Sequence, residues 1–178
     1  MEKLGANLPS LPRGKRGLGF TLLAPLALTL AGCGFTPMYA TPGVSSGLST
    51  IEVVAPDGRV GYLLREDLDD ALGRNKSAPA TYKLEMVLTQ TRNPRGLSVT
   101  DVAERYVVGV NVKFTLTDLT TAKVAHTGEV TSQVSYDAAD QPYAGIAARQ
   151  DSQQRAASDA ARQIQLDLAV WMSKNKSK

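Results

Sequence analysis

Three stretches of this chain alternate apolar and polar residues with a period of two, and no other feature limits the possible folds as strongly. In the first, Tyr82, Leu84, Met86 and Leu88 share one side while Lys83, Glu85, Thr89 and Thr91 share the other. In the second, Tyr106, Val108, Val110, Val112, Phe114 and Leu116 alternate with Val107, Gly109, Asn111, Lys113, Thr115 and Thr117. In the third, Val124, His126, Val130, Val134 and Tyr136 alternate with mainly polar residues. Successive side chains of a strand point to opposite faces, so each stretch predicts a strand with one apolar face. Consecutive one-sided strands imply an antiparallel arrangement covered on one face only. The uncovered face would be rich in Thr and sparsely charged, which suits water or a polar partner surface. Arg92-Asn93-Pro94-Arg95-Gly96 reads as the opening of a loop, and residues 118–123 as a short turn.

Around these strands the period changes. Residues 51–55 form a short β-branched run closed by Pro56-Asp57-Gly58. Val60, Leu64, Leu68, Ala71 and Leu72 then recur at helical spacing over residues 59–73, with Gly73 as a stop. Glu66, Asp67, Asp69 and Asp70 lie around the solvent side of that helix, and no oxygen-rich loop follows that could hold calcium. From about Pro142 to Ser173, Ala157, Ala161, Ile164, Leu168 and Trp171 again step by three or four. Gln150 to Arg155 is polar all round, so only the later half has a strong core face. The economical packing is an α+β two-layer sandwich over residues 51–173. Two helices cover one face of a four-stranded mixed sheet, in the order β-α-β-β-β-α. Residues 174–178 form a basic tail.

The amino terminus has a different character. Basic Arg13, Lys15 and Arg16 precede an uncharged stretch, Leu18 to Ala31, that is short for a membrane span of roughly 20 residues. That layout is a secretory signal, residues 1–32. It also carries the whole formal charge of +3: Lys3, Arg13, Lys15 and Arg16 stand against Glu2, leaving 16 basic and 16 acidic residues from position 33 onward. Bulk charge therefore gives no argument for binding nucleic acid. Leu30-Ala31-Gly32-Cys33 resembles the lipobox of bacterial lipoproteins, which implies acylation of Cys33, the single cysteine. The resemblance also implies, through Gly34 in place of Asp, passage to the outer membrane. A free thiol after ordinary cleavage near Ala31 is the competing reading. Residues 33–50, with Pro37, Pro42, Gly43, Gly47 and several Ser, read as a flexible tether.

Little here points to turnover. Gly43-Val44-Ser45-Ser46-Gly47 matches the G-x-S-x-G pattern of serine hydrolases but lacks the preceding strand and following helix that the motif needs. The one histidine, His126, falls on an apolar strand face. One Cys and one His are too few for a zinc cluster, and neither a metal nor a cofactor is implied.

Cys33-Gly34-Phe35-Thr36-Pro37-Met38-Tyr39, followed by strand, helix, three strands and helix, resembles the LPS-assembly lipoprotein family LptE. That resemblance implies a non-enzymatic protein that sits in the lumen of the LptD outer-membrane barrel, assists its assembly and binds lipopolysaccharide on the periplasmic side of the outer membrane. Within it, Arg92 and Arg95 become candidates for lipid phosphate, since guanidinium groups bind phosphate in a bidentate manner. Lys83, Arg105 and Lys113 rank second. Two other readings stay open: an auxiliary lipoprotein of a lipid-transporting ABC system, and a periplasmic hydrolase using Ser45 and His126.

Overall fold

A computed structural model of the chain describes residues 43–97, 103–139 and 141–176, all within one compact unit, Pro37–Lys178. The signal stretch, Cys33 and residues 33–42 of the expected tether lie outside the described residues. The elements run α1 (Val44–Leu48), β1 (Ile51–Val53), α2 (Arg59–Leu72), β2 (Tyr82–Leu97), β3 (Ala103–Asp118), β4 (Lys123–Asp137) and α3 (Pro142–Lys176). The sheet order is β1-β2-β3-β4. The β1 strand pairs parallel with Tyr82–Leu84, and the other two ladders are antiparallel. The four-stranded mixed sheet and the one-sided helical layer agree with the sequence pattern.

Alternation decides which face is buried. Leu84, Val108, Val110, Val112, Phe114 and Leu116 are at most 2% exposed, and all lie on the helix side. Against them α2 presents Val60, Leu64, Leu68 and Leu72, while α3 presents Ile164, Leu168 and five buried alanines, Ala156, Ala157, Ala160, Ala161 and Ala169. Side chains this small let a helix approach its neighbours closely. Each fully buried Leu, Ile or Val contributes about 1.5–3 kcal/mol. Gly73 closes α2, its N–H and that of Arg74 bonding back to the carbonyls of Asp70 and Asp69. The α3 helix runs back along β4: Ile146 and Arg149 stand near Tyr136, Gln163 reaches the Thr131 carbonyl, and Asp167 meets His126. Among the described residues no helix is long and apolar enough to cross a membrane.

Four expectations need correction. Residues 43–50 are not a flexible tether. They hold α1, whose Val44 and Leu48 are 0% and 2% exposed. These two sit four residues apart, so one face of a single helical turn reaches the core, and Ser49 and Thr50 hydroxyls cap its carbonyls. Second, Arg92 to Gly96 is not a loop. The β2–β3 ladder continues past it, with Arg92 opposite Val108 and Arg95 opposite Arg105. Pro94 is tolerated because, among the described residues, no strand pairs with the outer edge of β2 beyond Leu84. Third, Val124 faces solvent at 62% exposure. The ladder skips Ala125 between Leu116 and Thr117, and such a bulge shifts the residues beyond it to the other face. Fourth, although residues 150–155 are polar on every side of α3, this part of the helix also has a covered side: Ser152 and Gln153 are buried, and the Ser152 hydroxyl donates to the Arg149 carbonyl.

Candidate functional site

The face of the sheet away from the helices carries the polar half of each alternating pattern. Thr89, Thr91, Thr127 and Thr131 are exposed on it, and its charges are mostly paired. Lys83 bonds Glu85 at 2.9 Å, and this contact with the Glu85 carboxylate raises the Lys83 pKa above the ordinary lysine value. Asn111 donates to Glu129 at 2.8 Å and to Thr131 at 3.0 Å. Lys113 stands opposite Glu129 in register and forms no ion pair among the described residues.

At the hairpin end of this face Arg95 lies directly opposite Arg105. Like charges so placed repel. Asp137 compensates one of them, accepting from Arg105 Nε at 2.8 Å, whereas Arg95 has no side-chain partner among the described residues. The hollow they border, about 430 Å³, also includes Gly96 and Glu104. The charges lining it therefore balance, with Arg95 as the cation free to take an external anion. Gly96 holds φ at 67°, a left-handed conformation that favours glycine.

The sequence grouped Arg92 with Arg95, and the structure separates them. Three residues apart on one strand, they point to opposite faces. Arg92 lies on the helix side. Its guanidinium carbon sits 3.6 Å from the Tyr106 ring centroid, and its Nε donates to Tyr136 Oη at 2.7 Å. Tyr106 and Tyr136 stack with centroids 5.5 Å apart. These rings and Arg92 form one wall of a cleft of about 320 Å³, closed on the other side by Ala138, Ala139, Pro142, Ile146 and Arg149. The cleft was hidden from sequence reasoning. Tyr106 and Tyr136 were legible as core-facing residues, but their direct opposition depends on the β3–β4 register.

The hydrolase reading finds no support in the arrangement. Ser45 lies on the exposed side of α1. His126 Nε2 faces Asp167 Oδ1 at 3.3 Å, and its ring stacks on Trp171 with centroids 5.7 Å apart. The histidine thus serves the packing between β4 and α3.

The comparisons agree with this architecture. The family model described as "LptE: Lipopolysaccharide-assembly" matches residues 48–168. Among solved structures, a lipoprotein of Caulobacter crescentus CB15 is 50% identical with a TM-score of 0.65, covering 75% of this chain and 97% of that one. Lipoprotein B of Nitrosomonas europaea has the same fold at 18% identity and a TM-score of 0.53, over 69% of this chain and 83% of its own. Rare lipoprotein B of Shewanella oneidensis does so at 17% and 0.51, over 71% and 98%. No curated protein matches at a significant level.

Proposed function

The chain belongs to the LptE lipopolysaccharide-assembly family, and from that premise we propose that it is a non-enzymatic, lipid-anchored subunit at the periplasmic side of the outer membrane that binds lipopolysaccharide and plugs an LptD-like barrel. The family match over residues 48–168 carries this reading. The composition of the open sheet face supports it. A hydroxyl-rich, charge-balanced surface is compatible with the polar interior of an outer-membrane barrel, and large aromatic side chains are gathered on the helix side instead.

Anchoring falls to Cys33. Stable attachment takes more than one acyl chain, each buried methylene adding about 0.8 kcal/mol. Contact with lipid phosphate falls to the open-face cations, led by Arg95 and joined by Arg105 when phosphate displaces Asp137. Lys113 and Lys83 stand further along the same face. Arg92 drops out of this set because its side chain belongs to the other face.

A mild-detergent pull-down from outer membranes tests the proposal. The expected result is a heat-modifiable barrel protein and lipopolysaccharide in the eluate, with mass spectrometry finding Cys33 acylated. The double variant Arg95→Ala/Arg105→Ala should retain the barrel, lower lipopolysaccharide affinity by roughly tenfold, the order of one charge-assisted contact, and flatten its salt dependence. A barrel-free eluate with an unmodified Cys33 would overturn the reading.

A further inference from the structure

The cleft at the distal end of the helix-side face is unexplained by phosphate binding on the opposite face. Its geometry is that of a prepared anion site. Arg92 is stacked on Tyr106 and tied through Nε to Tyr136 Oη, a hydroxyl whose residue is only 7% exposed. The guanidinium is thereby fixed, while its two terminal nitrogens have no hydrogen-bond partner among the described residues. Arg149, across the cleft, makes no ion pair among the described residues either. No Asp or Glu is among the described residues lining the cleft, in contrast to the balanced hollow around Arg95. Such a site attracts an anion, and a guanidinium pair suits the planar, two-oxygen geometry of a carboxylate.

The remaining walls narrow the class. Beside the two arginines stand Tyr136, Pro142, Ile146, Ala138 and Ala139. A phosphate carried on a sugar would set hydroxyls against Pro142 and Ile146, whose side chains cannot hydrogen-bond them. The volume, about 320 Å³, is at the small end of ligand pockets; it admits one amino-acid residue and excludes a multi-acyl lipid. Tyr143 is 88% exposed and Ile146 55%. Three residues apart on α3, they share a face and extend an apolar surface outward from the mouth, as contact with a polypeptide requires.

We propose that this cleft captures the C-terminal residue of a partner polypeptide, with its α-carboxylate between Arg92 and Arg149 and its apolar side chain against Tyr136 and Ile146. The carboxylate and the side chain of a terminal residue branch from a single carbon, which matches cations and apolar walls lying side by side in so small a space. Terminal-carboxylate capture is an established mode of peptide recognition.

The test titrates the full chain with acetyl-Gly-Ser-Gly-Phe bearing a free C-terminal carboxylate, followed by NMR at the arginine Nε–Hε and tyrosine ring resonances. The same peptide as its C-terminal amide is the key comparison. The free acid should shift the Arg92, Tyr106 and Tyr136 signals and bind at least tenfold more tightly than the amide. Arg149→Gln, which removes no observed side-chain contact, should weaken the acid about tenfold, as should Arg92→Gln. Arg95→Ala/Arg105→Ala should leave peptide binding unchanged, which keeps this site separable from lipid binding on the open face. Equal binding of acid and amide, or no shift with either, overturns the proposal. So does tighter binding of dodecyl phosphate than of the peptide, which would make the cleft a lipid-phosphate site.

Discussion

The helix-side face of the sheet carries two aromatic clusters, one at each end, and they are finished differently. At the proximal end Tyr82 meets Trp171 edge-on with centroids 5.7 Å apart, Trp171 stacks on His126, and Phe114 leans on His126 at 5.9 Å. The histidine's polar edge is satisfied by Asp167. About ten residues along β3, some 33 Å at strand rise, Tyr106 and Tyr136 stack under Arg92. The proximal cluster lies beneath the part of α3 that buries Leu168, Ala169 and Met172. The distal one lies beside its first turns, where Tyr143 and Ile146 are exposed. One hairpin thus supplies similar rings to both ends, and coverage by α3 decides what they do. Where the helix closes over them, the rings hold the fold together. Where it does not, they hold a cation ready for something external.

Replacing one ring at each end is the most direct way to break this comparison. Trp171→Ala should cost about 3 kcal/mol, near the low end for deleting a large buried aromatic because its side chain is only partly buried. It should also release Tyr82 and His126 from their contacts. Tyr106→Leu at the distal end should cost about 1 kcal/mol, the scale of one aromatic pair and one cation–π contact. Urea unfolding monitored by far-UV circular dichroism measures both. Equal costs would mean that the distal cluster is as much a part of the core as the proximal one.

Gly128 offers a finer test of the same point. A Cβ there would lie 2.3 Å from Phe114 Cζ and 2.7 Å from Asp167 Oδ2. The absent side chain is what lets the Phe114 ring cross the sheet while Asp167 reaches His126. Gly128→Ala should cost about 1–3 kcal/mol, the usual penalty for overpacking a closed site. The Arg92 and Tyr136 resonances at the far end should not move. A shift there would show that the two ends are coupled through β4.

These contrasts also mark where the sequence stopped being informative. The strands, α2, the later half of α3 and the one-sided sheet were legible because each depends on a local period. Proximal Trp171 and His126 were legible as core-facing residues for the same reason. The distal cleft was not, because Arg92 looked like part of a loop: Asn93-Pro94-Arg95-Gly96 has turn chemistry, and only the opposing residues of β3 hold it in a ladder. Residue parity along an unbroken strand then places Arg92 and Arg95 on different faces, which a loop reading could not foresee. The α1 turn was hidden because its Gly and Ser content outweighed one apolar pair, Val44 and Leu48. Arg149 drew no attention because its role depends on where α3 begins over the sheet.

The covered region leaves two buried side-chain oxygens, Ser132 Oγ and Asp67 Oδ2, without a hydrogen-bond partner among the described residues, and of the two only Asp67, on α2, titrates. Burial raises its pKa above the ordinary value of 3.8, Glu66 and Asp70 push the same way, and Arg162 opposes them. The folded state therefore binds this proton more tightly than the unfolded state does. The group costs no stability below pH 3.8, and stability is lost as pH rises from there through the folded-state value. Asp67→Asn removes that titration. Its stability relative to the native chain should improve as pH rises above 3.8 and level off once the folded-state carboxyl has ionised. The gain should be the smallest effect among these variants, because the carboxylate is only partly buried and the new amide must find its own partner. Urea midpoints at a series of pH values measure it. A difference that stays flat as pH rises would mean that Asp67 is solvated in the folded state.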